Sequence, residues 1–136
     1  MAAALYLDSS AILRPVLERG LSPEIGTRIE KAEVLVTSRL SLVETARAFH
    51  RVRLLGRHPE ALIADGERAV RGLWRHCEIW ELDKEVCELA EAVSPTAPLR
   101  GLDALHLATF ILARREIAGL RLLTADDRLH AAAGSA

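Results

Sequence analysis

The chain opens with Ala4-Leu5-Tyr6-Leu7, a short unbroken apolar run that stops at Asp8. Such a run predicts a strand buried on both faces, as at the centre of a parallel sheet. Ser9 and Ser10 can cap a helix running to about Glu18, with Pro15 limiting its regularity and Gly20 ending it. Ser22-Pro23-Glu24 opens a second helix, with Ile25 and Ile29 on one face. Val34 to Thr37 is a second buried strand, followed by a long helix from about Arg39 to Leu55 that ends near Gly56. Leu42, Val43, Ala46 and Phe49 give that helix an apolar stripe.

Pro59 opens a helix to about Arg75. Glu78 to Leu82 reads as a weaker strand with edge character, and Asp83 caps a helix through Ala92. Ser94 to Leu99, with Pro95 and Pro98, is a loop. Gly101 to Glu116 is a strongly apolar helix, and Leu120 to Leu123 a fourth strand. Asp126 or Asp127 starts a last short helix before a fraying tail, Gly134 to Ala136. Strands alternating with helices imply an α/β fold, a parallel sheet covered on both faces. No repeat or linker divides the chain, so residues 1–136 read as one domain.

Composition narrows the class. Aromatics are 4% of residues, so the core is built mainly from Leu, Ala, Val and Ile. A net charge of −1 argues against a protein that holds nucleic acid by bulk charge, though acidic ligands can hide a basic surface in the total. Cys77 and Cys87 have neither metal-like nor redox-like spacing and read as reduced thiols. There is no signal-peptide pattern and no run long enough for a membrane span, which points to a cytoplasmic protein.

The chemistry lies in four acids. Sites in open parallel sheets form beyond the carboxyl ends of the strands. Asp8 directly follows the first strand, and Asp126 lies just past the fourth. If those strands are neighbours, both carboxylates enter one crevice. Glu44, near the start of the long helix, and Asp103, near the start of a later one, can reach the same edge. Two like charges about 4 Å apart repel by roughly 4 kcal/mol at an effective dielectric near 20. A divalent cation removes that conflict, and hard oxygen donors favour Mg²⁺ or Mn²⁺. Each acid also has a plain structural use. Asp8 and Asp126 can cap helices, Ser41 to Glu44 fits a capping box, and Asp103 suits a helix dipole. The argument rests on the set.

The set resembles a family. Leu5 to Ile12, with Asp8-Ser9-Ser10 at its centre, resembles the opening of PIN domains. Ser41 to Glu44 is similar to their second motif, Gly101 to Ala108 to their third, and Leu123 to Leu129 to their fourth. Order and spacing agree over nearly the whole chain, whose length is that of compact VapC-type toxins. The resemblance implies a three-layer α/β/α fold with four or five parallel strands. It implies Mg²⁺- or Mn²⁺-dependent RNA hydrolysis leaving a 5′-phosphate and a 3′-hydroxyl, a homodimer, and a cognate antitoxin that blocks the site. Residue by residue, it assigns Asp8, Glu44 and Asp103 to the principal metal and Asp126 to the acidic pocket, with Asp127 as the alternative fourth acid. Ser10 and Thr124 match hydroxyl positions that support the acids or bind phosphate, with helix capping as their plain use.

Among the remaining residues, His106 reads as a satisfied core or rim histidine. Arg39, Arg47, Arg51, Arg53 and Arg57 lie along the long helix; a solvated face is the plain reading, and an RNA- or antitoxin-contacting face the sharper one, with Arg47 and Arg51 as its candidates. Arg100, beside Asp103, is placed to meet an RNA phosphate or an antitoxin carboxylate. Trp74 and Trp80 lie too close to core positions to be read as base-stacking platforms, and the pattern of classical RNA modules with interleaved surface aromatics is absent. Two rivals stand beside the ribonuclease: another metal-dependent phosphohydrolase, and an inactive PIN-like interaction module. An aspartyl phosphatase needs a second acid where Ser10 stands, and no Gly-rich phosphate loop is present.

Overall fold

The computed structural model describes residues 3–17, 23–96 and 99–134. The predicted positions Glu18, Gly20, Ser22, Pro98 and the last two residues lie outside them. The elements are β1 (Ala4–Leu7), α1 (Ser9–Leu17), α2 (Pro23–Lys31), β2 (Val34–Ser38), α3 (Arg39–Leu55), α4 (Glu60–Trp74), β3 (Cys77–Trp80), α5 (Lys84–Ala92), α6 (Gly101–Glu116), β4 (Leu120–Leu123) and α7 (Asp127–Gly134). The four strands pair in parallel in the order β3-β2-β1-β4, within the expected four to five.

Strand periodicity builds the layers. Successive side chains on a strand point to opposite faces. Ala4 and Tyr6 of β1 therefore join Leu107, Phe110 and Leu129 in one core, beneath α6 and α7. Leu5 and Leu7 join Ala11, Ile12, Phe49, Ile63 and Val70 in the other, beneath α1, α3 and α4. A β1 buried on both faces is what its unbroken apolar run demands. Among the described residues, no helix is long and apolar enough to cross a membrane.

The structure moves three predicted boundaries. The third strand takes in Cys77, opposite Leu35, and loses Glu81 and Leu82, because β2, its only partner among the described residues, ends at Ser38 opposite Trp80. The cap of α1 is Asp8, whose Oδ1 accepts from the Ala11 backbone N–H at 3.0 Å, while Ser9 and Ser10 are already helical. The cap of α3 is Ser38, whose Oγ accepts from Leu40 N at 3.1 Å, so Ser41 to Glu44 is not a capping box. Elsewhere the expected caps stand: Asp83 for α5, and Gly56 beyond α3 with φ of 63°.

On the α1, α3 and α4 side the helices approach closely. At Gly66 of α4 a Cβ would lie 2.8 Å from Val16 Cγ1 and 3.1 Å from Phe49 Cε1. Only glycine lets α4 close on the end of α1 and the middle of α3.

Candidate active site

The site forms where β1 and β4, adjacent in the sheet, both end. Asp8 is buried there at 4% exposure. Its Oδ1 accepts from the Ser10 hydroxyl at 2.7 Å and the Ala11 N–H at 3.0 Å; its Oδ2 accepts from the Thr124 hydroxyl at 2.6 Å. Hydrogen bonds to a charged acceptor contribute about 1.5–3 kcal/mol each, enough to hold a carboxylate that burial would otherwise penalise. The hydroxyls are held in turn. Ser10 Oγ accepts from Ala125 N at 2.9 Å and lies 3.1 Å from Thr124 Oγ1, which accepts from Asp126 N at 3.0 Å. Ser10 and Thr124 are thus clasps between α1 and the turn after β4.

Asp126 caps α7, its Oδ1 accepting from Arg128 N at 2.9 Å and Leu129 N at 3.2 Å. Asp127 is the first residue of that helix and is exposed. Asp103 lies at the start of α6, where the Arg100 backbone N–H donates to its carboxylate, so its helix-start use is real. Its acid is nevertheless pushed above the ordinary carboxylate range. Burial is the largest cause, followed by the charge of Asp126; Asp8 adds to it, and His106 and the Arg100 N–H oppose it. Asp8, Asp103 and Asp126 therefore share one electrostatic neighbourhood, as the strand adjacency requires.

Glu44 reaches the same place from α3 by a different route. Its Oε1 accepts from Ser9 Oγ at 3.1 Å, beside Asp8, and meets His106 Nε2 at 2.6 Å, one helical turn beyond Asp103. His106 is 2% exposed, and its Nδ1 lies 2.9 Å from the Tyr6 hydroxyl. The expectation of a satisfied core histidine holds, but its partner is one of the four acids. Sequence reading missed the Tyr6–His106–Glu44 chain; its one visible signal was a histidine at i+3 from Asp103 on an apolar helix. Thr37 completes the scaffold, its hydroxyl donating to Leu7 O at 2.7 Å and lying 2.9 Å from Ser41 Oγ, which ties the end of β1 to the start of α3.

Among the described residues, no three His, Cys, Asp or Glu side chains are grouped to hold a metal ion in their present orientations. The carboxylates are turned toward protein donors instead. No ion pair among those residues joins a Lys or Arg to the four acids; the pairs are Arg39–Glu81, Arg53–Glu60, Arg53–Glu67, Arg68–Asp65, Lys84–Glu88 and His106–Glu44. The donor chemistry suits a hard divalent cation, and the raised Asp103 acid marks negative charge that such a cation would balance. Arg39 and Arg53 are engaged in those pairs, whereas Arg47 and Arg51 are exposed on α3 and Arg100 is exposed just before α6. Trp74 and Trp80 are half-buried, packed against the edges of the cores.

Comparison with known proteins agrees with this architecture. The PIN domain family model matches residues 5–135. Ribonuclease VapC46 of Mycobacterium tuberculosis is 38% identical over 132 residues, covering 96% of this chain and 91% of that protein. The crystal structure of M. tuberculosis VapC20, a Sarcin-Ricin loop cleaving toxin, superposes with a TM-score of 0.66 at 16% identity, covering 95% of each chain. VapBC2 from Rickettsia felis, bound to a DNA fragment from their promoter, superposes at 0.60 with 10% identity, over 90% of this chain and 99% of that one. The two structures speak for the fold.

Proposed function

The chain belongs to the PIN-domain family, and on that footing we propose that it is a divalent-metal-dependent endoribonuclease, the toxin of a VapC-type toxin–antitoxin pair. The observation that carries this reading is the meeting of acids at the ends of β1 and β4: Asp8 and Asp126 joined through Thr124, Asp103 raised by burial and by Asp126, and Glu44 brought alongside by Ser9 and His106. The relative named Ribonuclease VapC46, alike over nearly its whole length, supports it.

Asp8, Glu44 and Asp103 would hold the ion, Mg²⁺ or Mn²⁺, and Asp126 would complete the acidic pocket. A bound divalent cation supplies charge to polarise a phosphate and lowers the pKa of a coordinated water. The protein's own residues do the positioning. Three donors fix Asp8, so it stays in place when its neighbours move. Asp126 is anchored by its cap, which supports it over the exposed Asp127 as the fourth acid. Arg100, Arg47 and Arg51 contact RNA phosphates or an acidic antitoxin segment. The product ends are a 5′-phosphate and a 3′-hydroxyl, and the protein acts as a homodimer restrained by a partner antitoxin, in the cytoplasm.

Asp8→Asn tests the reading: it should fold and fail to cleave RNA. Unchanged Mg²⁺-dependent cleavage by that variant removes Asp8 from the chemistry. The dispersed orientation of the acids favours one other reading, a PIN-like fold kept to bind a partner. A folded wild type that gains no thermal stability from Mn²⁺ would select it.

A further inference from the structure

We propose that Tyr6 and His106 are positioning residues that fix Glu44 by one oxygen and leave the other for the site; the proposal rests on the ribonuclease reading above. The geometry is one-directional. Glu44 Oε1 is an acceptor, so the 2.6 Å contact with His106 Nε2 requires a proton on that nitrogen. In a neutral ring Nδ1 is then bare and needs a donor. The donor present is the Tyr6 hydroxyl at 2.9 Å. In that form of the ring the proton order runs Tyr6 O–H to Nδ1, then Nε2–H to Glu44.

Packing holds that order in place. Tyr6 is wholly buried on β1 and His106 is 2% exposed, so their 2.9 Å contact lies inside the core. The Tyr6 ring meets His106 edge-on at 74° and Phe110 at 60°, each with centroids 6.0 Å apart. Ser9 donates to the same Oε1 at 3.1 Å, so both of these hydrogen bonds to Glu44 fall on one atom and leave Oε2 clear of them. One turn of α6 thus carries an acid, Asp103, and the residue that aims another, which couples the two through a rigid helix.

The experiment reads the ring directly. Nitrogen-15 spectra of the wild-type protein, with the His106 signals assigned through His106→Gln, should show the proton on Nε2 and none on Nδ1. Calorimetric titration with Mn²⁺ should show about ten-fold weaker binding for Tyr6→Phe and His106→Ala, in line with other residues that orient ligands. His106→Gln, whose amide can still donate to Glu44, should recover part of it. RNA cleavage by Tyr6→Phe should fall in kcat with KM little changed. A proton on Nδ1, or wild-type Mn²⁺ affinity in both Tyr6→Phe and His106→Ala, overturns the proposal. A wild type with the stated ring form and Mn²⁺ affinities but no RNA cleavage supports the positioning and sinks the ribonuclease reading instead.

Discussion

Acids gather at two places in this molecule, and they are treated in opposite ways. Between α3 and α4, Glu60 and Glu67 share the guanidinium of Arg53: Nε and Nη2 donate to Glu60 at 3.1 and 2.8 Å, and Nη1 donates to Glu67 at 2.8 Å. Those hydrogen bonds pull both acids below the ordinary range. At the ends of β1 and β4 the shift is reversed: Asp103 is pushed up by burial and by Asp126. The hairpin carries its own cation and is finished as folded. The sheet edge carries an excess of negative charge that no Lys or Arg ion pair among the described residues offsets. Charge left unbalanced at the end of a central strand marks function, and charge balanced by a forked arginine marks architecture.

The largest effect should follow from removing charge at the edge. Asp8→Asn is expected to lower RNA cleavage by at least about 100-fold, the scale of losing one group that stabilises charge in an active site. Its amide also offers a donor where Thr124 needs an acceptor, so a stability loss of about 1 kcal/mol in urea titrations should accompany it. Glu67→Gln, at the hairpin, should leave cleavage as it was. Next in size is the response to metal. Mn²⁺ at a hundred times its Kd should stabilise the wild type by about 2.7 kcal/mol, read as a rise in Tm, and Asp103→Asn should lose most of that rise. Equal rises in both proteins would end the contrast.

Smaller effects separate the two places by pH. Glu60 and Glu67 have depressed folded-state pKa values, so their contribution is full above the ordinary carboxylate range and is lost as pH falls through the lowered values. Asp103 has a raised one, so the folded chain holds its proton more tightly, and stability is lost as pH rises from the ordinary value through the raised one. Asp103→Asn without metal should therefore gain on the wild type as pH rises through that window, measured by denaturant midpoints. Arg53→Ala should lower Tm slightly at neutral pH, flatten the acid limb, and spare cleavage.

The sequence shows most of the frame and only part of the site. β1 and β4 stand where their apolar runs put them, because local pattern and tertiary burial ask for the same residues. The long α3 has the expected span and Gly56 end, but of its expected stripe only Phe49 is buried. Val43 and Ala46 face outward, while Leu40, Ser41, Thr45 and Ala48 fill the inner face. The β1–β4 adjacency, on which the crevice depends, is set by packing across more than a hundred residues and is not written locally. Motif order singled out the four acids as candidates, and the positions of Asp8 and Asp126 past their strands followed from it. Their orientation did not: Glu44 turns toward His106, which lies 62 positions away, and a hydrogen bond at that separation leaves no periodicity to read. Ser10 and Thr124 were legible as supports, although the clasp they make on Asp8, across 114 positions, was not. The capping readings were right for Asp8 and Asp126 without displacing their place in the cluster, since a carboxylate has lone pairs enough for both uses.

The missing side chain at Gly66 makes space itself a line of communication. Val16 and Phe49, the atoms that an added methyl would strike, belong to α1 and α3, and those same two helices begin with Ser9 and Ser10 on one side and lead to Glu44 on the other. Gly66→Ala would wedge them apart far behind the acids and loosen both grips at once. Activity could then fade with every acidic side chain still in place, a defect of leverage and not of chemistry.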